Sequence, residues 1–284
     1  MLRLFIAGAT GVLGRNLLPL LQERGHSVRA LVRTSSQADA LATQGVEPVL
    51  GDLLAPMSQA ALNDVMRGCD AVLHLATAIP SNPAAPGAWD ANTALRTVGT
   101  RALLDAALAA GATRYLQQSI VMAYIDGRDA WLDETAPFAA TPTAAVVAEM
   151  EGMVRAVDAD ALAWCILRGG SFVGPDTAQQ ALLQRLREGR AVVPGDGAYY
   201  IAPVHVADMA AATALAIEQA AAGAVYNVCD EPVRYGDYVD ALAGGIGVAR
   251  PPRNSERPAP ASCRADATAI RQQLGWTPAH PWLP

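Results

Sequence analysis

A glycine-rich turn, Gly8-Ala9-Thr10-Gly11-Val12-Leu13-Gly14, follows the apolar run Leu2 to Ala7, and no lysine occurs anywhere in the 284 residues. A strand that enters such a turn and leaves it as a helix is the arrangement that binds a dinucleotide. In that reading Gly8 permits the tight turn, Gly11 lets the backbone approach a diphosphate, and Gly14 allows close packing of the helix. The first helical N–H groups, around Thr10, Val12 and Leu13, carry roughly half a positive charge that favours an anion. All 21 basic residues are Arg. The loop therefore predicts a bound nicotinamide cofactor, while the missing lysine removes a common means of using one.

An NAD site would place Asp or Glu about 20 residues beyond the loop, on the ribose 2′-hydroxyl. Here the second strand runs out as Leu31-Val32-Arg33-Thr34-Ser35-Ser36, with no carboxylate. Arg33 can pair with a 2′-phosphate, and Arg15 points toward the same region. NADP(H) is accordingly favoured over NAD(H).

The elements that must hold these residues alternate strand and helix, the pattern of βαβ units and a parallel sheet. Strands are predicted at Leu2–Gly8, Ser27–Val32, Glu47–Leu50, Ala71–Leu75, Arg114–Ser119 and Trp164–Leu167. Helices are predicted at Val12–Arg24, Ser36–Gln44, Gln59–Arg67, Ala88–Ala110 and Ala144–Asp158, with Gly25, Gly45 and Gly111 as left-handed caps. The expected fold is α/β: a Rossmann-type doubly wound parallel sheet over residues 1–168, with a smaller C-terminal substrate lobe over 169–284. Some segments of that lobe are expected to return to the core.

Composition narrows the partners. A hydrophobic content of 52% provides for a buried core, and a net charge of -6 without a basic stripe speaks against nucleic acid. No apolar stretch reaches membrane-spanning length free of charge or proline. Cys69, Cys165, Cys229 and Cys263 are widely spaced, as are His26, His74, His205 and His280, so no metal site is expected. A cytoplasmic protein acting on a small molecule is the expectation.

Nearly the whole chain resembles the extended short-chain dehydrogenase/reductase family, the NAD(P)-dependent epimerase/dehydratase group. Gly8, Gly11 and Gly14 match its loop, and Gly51-Asp52-Leu53 resembles the segment whose Asp meets the adenine. His74-Leu75-Ala76-Thr77 resembles the stretch beside the cofactor, and Ser171 and Phe172 lie in a segment like the loop that passes the nicotinamide. His205-Val206-Ala207-Asp208 and Tyr226-Asn227-Val228 match further landmarks. Arg96 stands where the family usually has Asn. The resemblance implies cofactor contacts from Asp52, Leu53, Leu75, Ala76, Thr77, Ser119, Ser171 and Phe172, and a homodimer built on the long helices.

The catalytic positions depart from the family. Its members pair a Ser or Thr with Tyr-x-x-x-Lys, the lysine holding ribose and lowering the Tyr pKa. Two separate anchors place that Tyr at Thr143 and that Lys at Val147. The family hydroxyl falls at Ile120, beside Ser119. Without lysine the motif cannot exist at any alignment. Tyr124, Ser119 and Thr143 are the candidate substitutes, and Asp126, Asp129, Asp133 and Glu134 could act as acid or base if buried. The expected function is an NADP(H)-dependent oxidoreductase or isomerase with non-standard residues. A silent NADP(H)-sensing or partner-binding protein and a non-redox lyase or isomerase are the alternatives.

Overall fold

The computed structural model describes residues 1–55 and 59–283. The chain divides into two compact units: Met1–Ser119 with Ala145–Leu167 and Thr213–Val225, and Ile120–Ala144 with Arg168–Ala212 and Tyr226–Pro284. The units interleave, so residues 120–144 fall in the second unit and 213–225 in the first.

The central sheet has seven strands: β1 (Arg3–Ala7), β2 (Ser27–Val32), β3 (Glu47–Leu50), β4 (Ala71–His74), β5 (Arg114–Ile120), β6 (Ala163–Gly169) and β7 (Ala224–Val228). Their order is β7-β6-β5-β4-β1-β2-β3. β1 pairs in parallel with β2 on one side and with β4 on the other, and β2–β3 and β4–β5 are also parallel. The order reverses at β1, so the crevice beyond its carboxyl end is where an open α/β sheet takes a ligand. This is a Rossmann-type doubly wound sheet.

Apolar side chains hold the first unit together. Phe5, Leu31, Met66, Val72, Leu103, Leu104, Tyr115, Trp164 and Ile166 form one buried cluster. Each such large side chain, fully buried, contributes about 1.5–3 kcal/mol. Helix α1 (Val12–Glu23) turns Leu13, Leu17, Leu18 and Leu21 inward at three- and four-residue spacing. Gly25, Gly45 and Gly111 have φ of +79°, +74° and +74°, as their capping positions require. Helices α2 (Ser35–Ala42) and α3 (Gln59–Met66) follow β2 and β3.

The helix predicted as continuous over Ala88–Ala110 is not continuous. It consists of α4 (Asp90–Ala94), a π-helical turn over Leu95–Gly99, and α5 (Thr100–Ala110). Asn92, Arg96, Thr100 and Leu104 are all buried. At 3.6 residues per turn a four-residue repeat drifts by about 40° at each step, and the wider π turn takes up that drift. Helix α6 (Pro142–Arg155) starts two residues earlier than predicted.

The second unit is built from short strand pairs. Ser171–Val173 pairs in parallel with Pro203–His205, and Trp131–Leu132 with Arg264–Ala265. Helices α7 (Ala178–Arg187) and α9 (Tyr235–Gly245) pack Leu182, Leu183, Leu186, Val239 and Leu242 against Val173 and Val193. Helix α8 (Val206–Gln219) lies between them in sequence. Among the described residues no helix is long and apolar enough to cross a membrane, and no group of three His, Cys, Asp or Glu could hold a metal ion.

Candidate active site

The glycine turn sits at the carboxyl end of β1. Gly8 has φ +102°, and a Cβ there would lie 2.6 Å from the backbone of Leu75 and Ala76. A Cβ at Gly14 would drive into the carbonyl oxygens of Gly8 and Ala9, so this glycine lets α1 close back on its own turn. Gly11 is exposed and caps α1 with no side-chain bond, and no acidic residue stands in the first turn. The positive end of the helix therefore faces outward past a residue without a side chain, a cradle that fits a diphosphate. Arg15 Nη1 donates to the Thr10 carbonyl at 3.1 Å and braces the turn.

The other expected cofactor contacts of this unit lie along neighbouring strand ends. Leu75 donates its N–H to the Ala7 carbonyl at 2.8 Å, which continues the β4 pairing, and Ala76 and Thr77 emerge progressively toward solvent. Asp52 Oδ1 accepts the Leu54 N–H at 2.9 Å. Arg33 is exposed at the end of β2, and the Thr34 hydroxyl accepts the Gln37 N–H to cap α2. In the second unit Ser171 donates its N–H to Ala202 at 2.8 Å, and Phe172 is half-buried.

Two of the three candidate proton donors, Ser119 and Tyr124, are spoken for. Ser119, fully buried at the end of β5, donates its hydroxyl to Glu151 Oε1 at 2.6 Å, and Arg155 Nη2 donates to the other oxygen at 3.3 Å. Val147 is fully buried one turn earlier on α6. Thr143 is exposed near the start of that helix. Tyr124 is 2% exposed; its hydroxyl donates to Asn227 Oδ1 and accepts from Arg168 Nη1, each at 2.7 Å. Burial pushes the Tyr124 hydroxyl up to about 12 despite the Arg168 charge beside it, so it stays protonated and engaged at neutral pH.

The four loop carboxylates serve the second unit's own structure. Asp126 accepts from the Arg128 and Ser262 N–H groups, Asp129 pairs with Arg234, and Asp133 accepts from Thr135. Glu134 is half-buried, which raises its carboxyl, yet it accepts the Asn227 N–H at 2.7 Å. His205 stacks on His280, whose ring bonds to Asp208.

Two residues that sequence reasoning did not assign belong to the first unit's interior. Glu151 is a carboxylate 2% exposed, and Arg96 is 5% exposed on the π turn. The signal for Glu151 was its spacing of four from Arg155 on a helix whose only other charged residue is Glu149. His74 donates to or accepts from Gln117 and Thr100 at 3.1 Å through Nδ1, and burial lowers its pKa to about 4.

The model of the NAD dependent epimerase/dehydratase family matches residues 4–229. The 3-diazoavenalumate denitrifying reductase of a Streptomyces species is 34% identical over 99% of this chain and 97% of its own. The 4-hydroxy-2-methyl-3-oxo-4-farnesyl-3,4-dihydroquinoline-1-oxide ketoreductase of Stigmatella aurantiaca is 31% identical over 87% of this chain and 74% of its own. In fold, the chain is similar to the UDP-glucuronic acid 4-epimerase of Bacillus cereus, solved with UDP-glucuronic acid and NAD. The TM-score is 0.81 at 18% identity, covering 99% of this chain and 95% of the other. A glycine turn shaped for a diphosphate, set at the reversal point of a seven-stranded sheet and carried on a chain matched over most of its length, leaves one conclusion: the protein belongs to the NAD dependent epimerase/dehydratase family.

Proposed function

We propose that this protein is an NADP(H)-dependent reductase that delivers hydride to an electrophile requiring no proton from the enzyme. The observation that carries the reading is the state of the proton relay. The chain has no lysine, Tyr124 is buried with its hydroxyl held at both sides, Ser119 is bonded to Glu151, and Thr143 is exposed. An enzyme that reduces a ketone must protonate the resulting alkoxide, and general acid catalysis there contributes about 10²–10⁴-fold. An aryl diazonium makes no such demand. A reduced nicotinamide, when bound, would supply the hydride; the C–N bond would break with its electron pair leaving in dinitrogen, and the ring would keep the new C–H bond. The relative named for a diazo substrate and its denitrifying reduction supports this substrate class.

The chain's own residues would bind and orient. Gly8, Gly11 and Gly14 would cradle the diphosphate, Thr10, Val12 and Leu13 would border it, and Asp52 and Leu53 would flank the adenine. Leu75, Ala76, Thr77, Ser171 and Phe172 would border the rest of the dinucleotide. Arg33, exposed with no carboxylate at the end of β2, supports NADP(H) over NAD(H). Exposed Val98 and Leu108, together with the small exposed residues Ala145, Ala148 and Gly152, support a homodimer through the long helices. Four buried thiols without a disulfide support a cytoplasmic protein.

The test is turnover of NADPH with a hydroxyaryl diazonium, measured against a control without protein. The expected result is one dinitrogen released per NADPH oxidised, with deuterium from 4-deuterated NADPH on the ring carbon. NADPH left unconsumed above the control overturns the reading. Reduction of a ketone in its place would move the assignment to the chemistry named for the Stigmatella relative.

A further inference from the structure

The π turn places an arginine where its surroundings leave it under-bonded. Among the described residues, the only hydrogen bond from the Arg96 guanidinium is a long one, Nη1 to Met150 Sδ at 3.6 Å. Its Nε is buried with no acceptor. Arg presents five N–H donors, and burying a cation without matching acceptors is unfavourable. Burial lowers the Arg96 pKa and the Glu151 charge opposes that shift, while the Glu151 oxygens take the Ser119 hydroxyl and Arg155. The guanidinium therefore feels a nearby carboxylate charge that takes none of its donors.

Its location is defined by its neighbours along the same buried face. Asn92 Oδ1 accepts the Ala78 N–H at 3.1 Å, beyond the carboxyl end of β4. Thr100 bonds His74, the last residue of that strand, and a Cβ on Gly99 would lie 3.8 Å from His74 Nε2. That Nε2 is also buried without a partner. Arg96 thus lies between two contacts to the strand end that runs into Leu75, Ala76 and Thr77. Met150 and Glu151 follow Val147 by three and four residues on α6, so Arg96 meets that helix on the face where position 147 sits.

We propose that Arg96 is the fixed cation of this site, holding an oxyanion that the substrate carries in conjugation with the carbon receiving the hydride. In an aryl-oxide diazonium the incoming hydride pair is matched by the C–N pair that leaves in dinitrogen, so the oxygen keeps its negative charge through the step and into the product. A guanidinium ordinarily keeps its charge far above neutral pH, so it can stabilise an oxyanion without donating a proton. Arg96 binds the substrate oxygen, and Glu151 and Ser119 position it. This rests on the hydride-transfer reading, and it explains how a site without a proton relay could tolerate that charge.

The experiment uses 4-nitrophenol, a chromophoric aryl oxide, titrated with the protein loaded with oxidised NADP. Wild type is expected to lower the pH at which the bound probe ionises by at least one unit, about a tenfold preference for the anion. Arg96→Lys keeps a downward shift, and Arg96→Met abolishes it while NADP affinity stays within about threefold. Should Arg96→Met fail to fold, Arg96→Gln, neutral and polar, takes its place. The proposal is overturned if wild type shows no shift or if the neutral variant keeps it. Loss of NADP affinity by tenfold or more in that variant also overturns it, by assigning the cation to the dinucleotide. No hydride moves in this titration, so failure of diazonium turnover leaves its result standing. A lost shift beside intact turnover removes Arg96 alone.

Discussion

Replacing Tyr124 with phenylalanine removes one oxygen that two neighbours share, and the consequences separate a packing residue from an acid. The hydroxyl donates to Asn227 Oδ1 and accepts from Arg168 Nη1, both at 2.7 Å. Asn227 keeps its bonds to the Leu132 and Asp266 carbonyls, and Arg168 keeps the Glu134 carbonyl and the Phe138 ring at 4.6 Å. The loss is one neutral bond, worth about 1 kcal/mol, and one charge-assisted bond, worth about 1.5–3 kcal/mol. Tyr124→Phe should therefore lower stability by about 2.5–4 kcal/mol. At roughly 2 °C per kcal/mol for a chain of this size, the melting temperature should fall by roughly 5–8 °C. Hydride transfer below the melting range should change less than about threefold, because the residue moves no proton in this account; an acid would cost about 10²–10⁴-fold. Thermal melts and single-turnover NADPH oxidation on the same preparations decide it. A rate loss of about a hundredfold or more with an unchanged melting temperature would refute the reasoning.

Three further perturbations test the site. Gly14→Ala forces a Cβ onto the Gly8 and Ala9 carbonyls, so calorimetry should show NADP affinity falling by at least about tenfold with a stability loss of about 1–3 kcal/mol. Arg33→Ser should reduce the preference for NADP over NAD by about tenfold, with the change confined to NADP affinity. His74 is held near 4 against an ordinary 6.5, so in that window the unfolded chain binds a proton that the native chain does not. Stability should then decline as pH falls from 6.5 toward 4, by about 3 kcal/mol in total, and His74→Gln should flatten that part of a pH-dependent denaturation series.

The glycine turn and the sheet could be read in the sequence because their constraints are local. β2 and β3 begin and end where predicted: β2 is a short, mostly buried apolar run, and β3 is a short segment set off by the turn residues Gly45 and Gly51. Gly25, Gly45 and Gly111 announce helix ends through backbone geometry that only glycine adopts easily. The π turn at Leu95–Gly99 could not be read, because Thr97, Val98 and Gly99 weaken a helix without specifying a π turn. Its cause is tertiary: Asn92, Arg96 and Thr100 must all face inward. The same limit hid the Arg96 and Glu151 environment, which depends on helices more than fifty residues apart. Tyr124 was visible as a residue able to donate a proton, but its engagement by Asn227 and Arg168 joins positions 124, 168 and 227, and no local pattern records that.

The measurement that bears most directly on the central claim is the solvent isotope effect on a single turnover of the NADPH-loaded protein with a hydroxyaryl diazonium. If no proton is transferred in the step that moves the hydride, rates in light and heavy water should agree, a ratio of about 1, in wild type and Tyr124→Phe alike. A ratio of about 2 or more that disappears in Tyr124→Phe would contradict the account, because it would restore a proton relay where the structure shows a hydroxyl held on both sides.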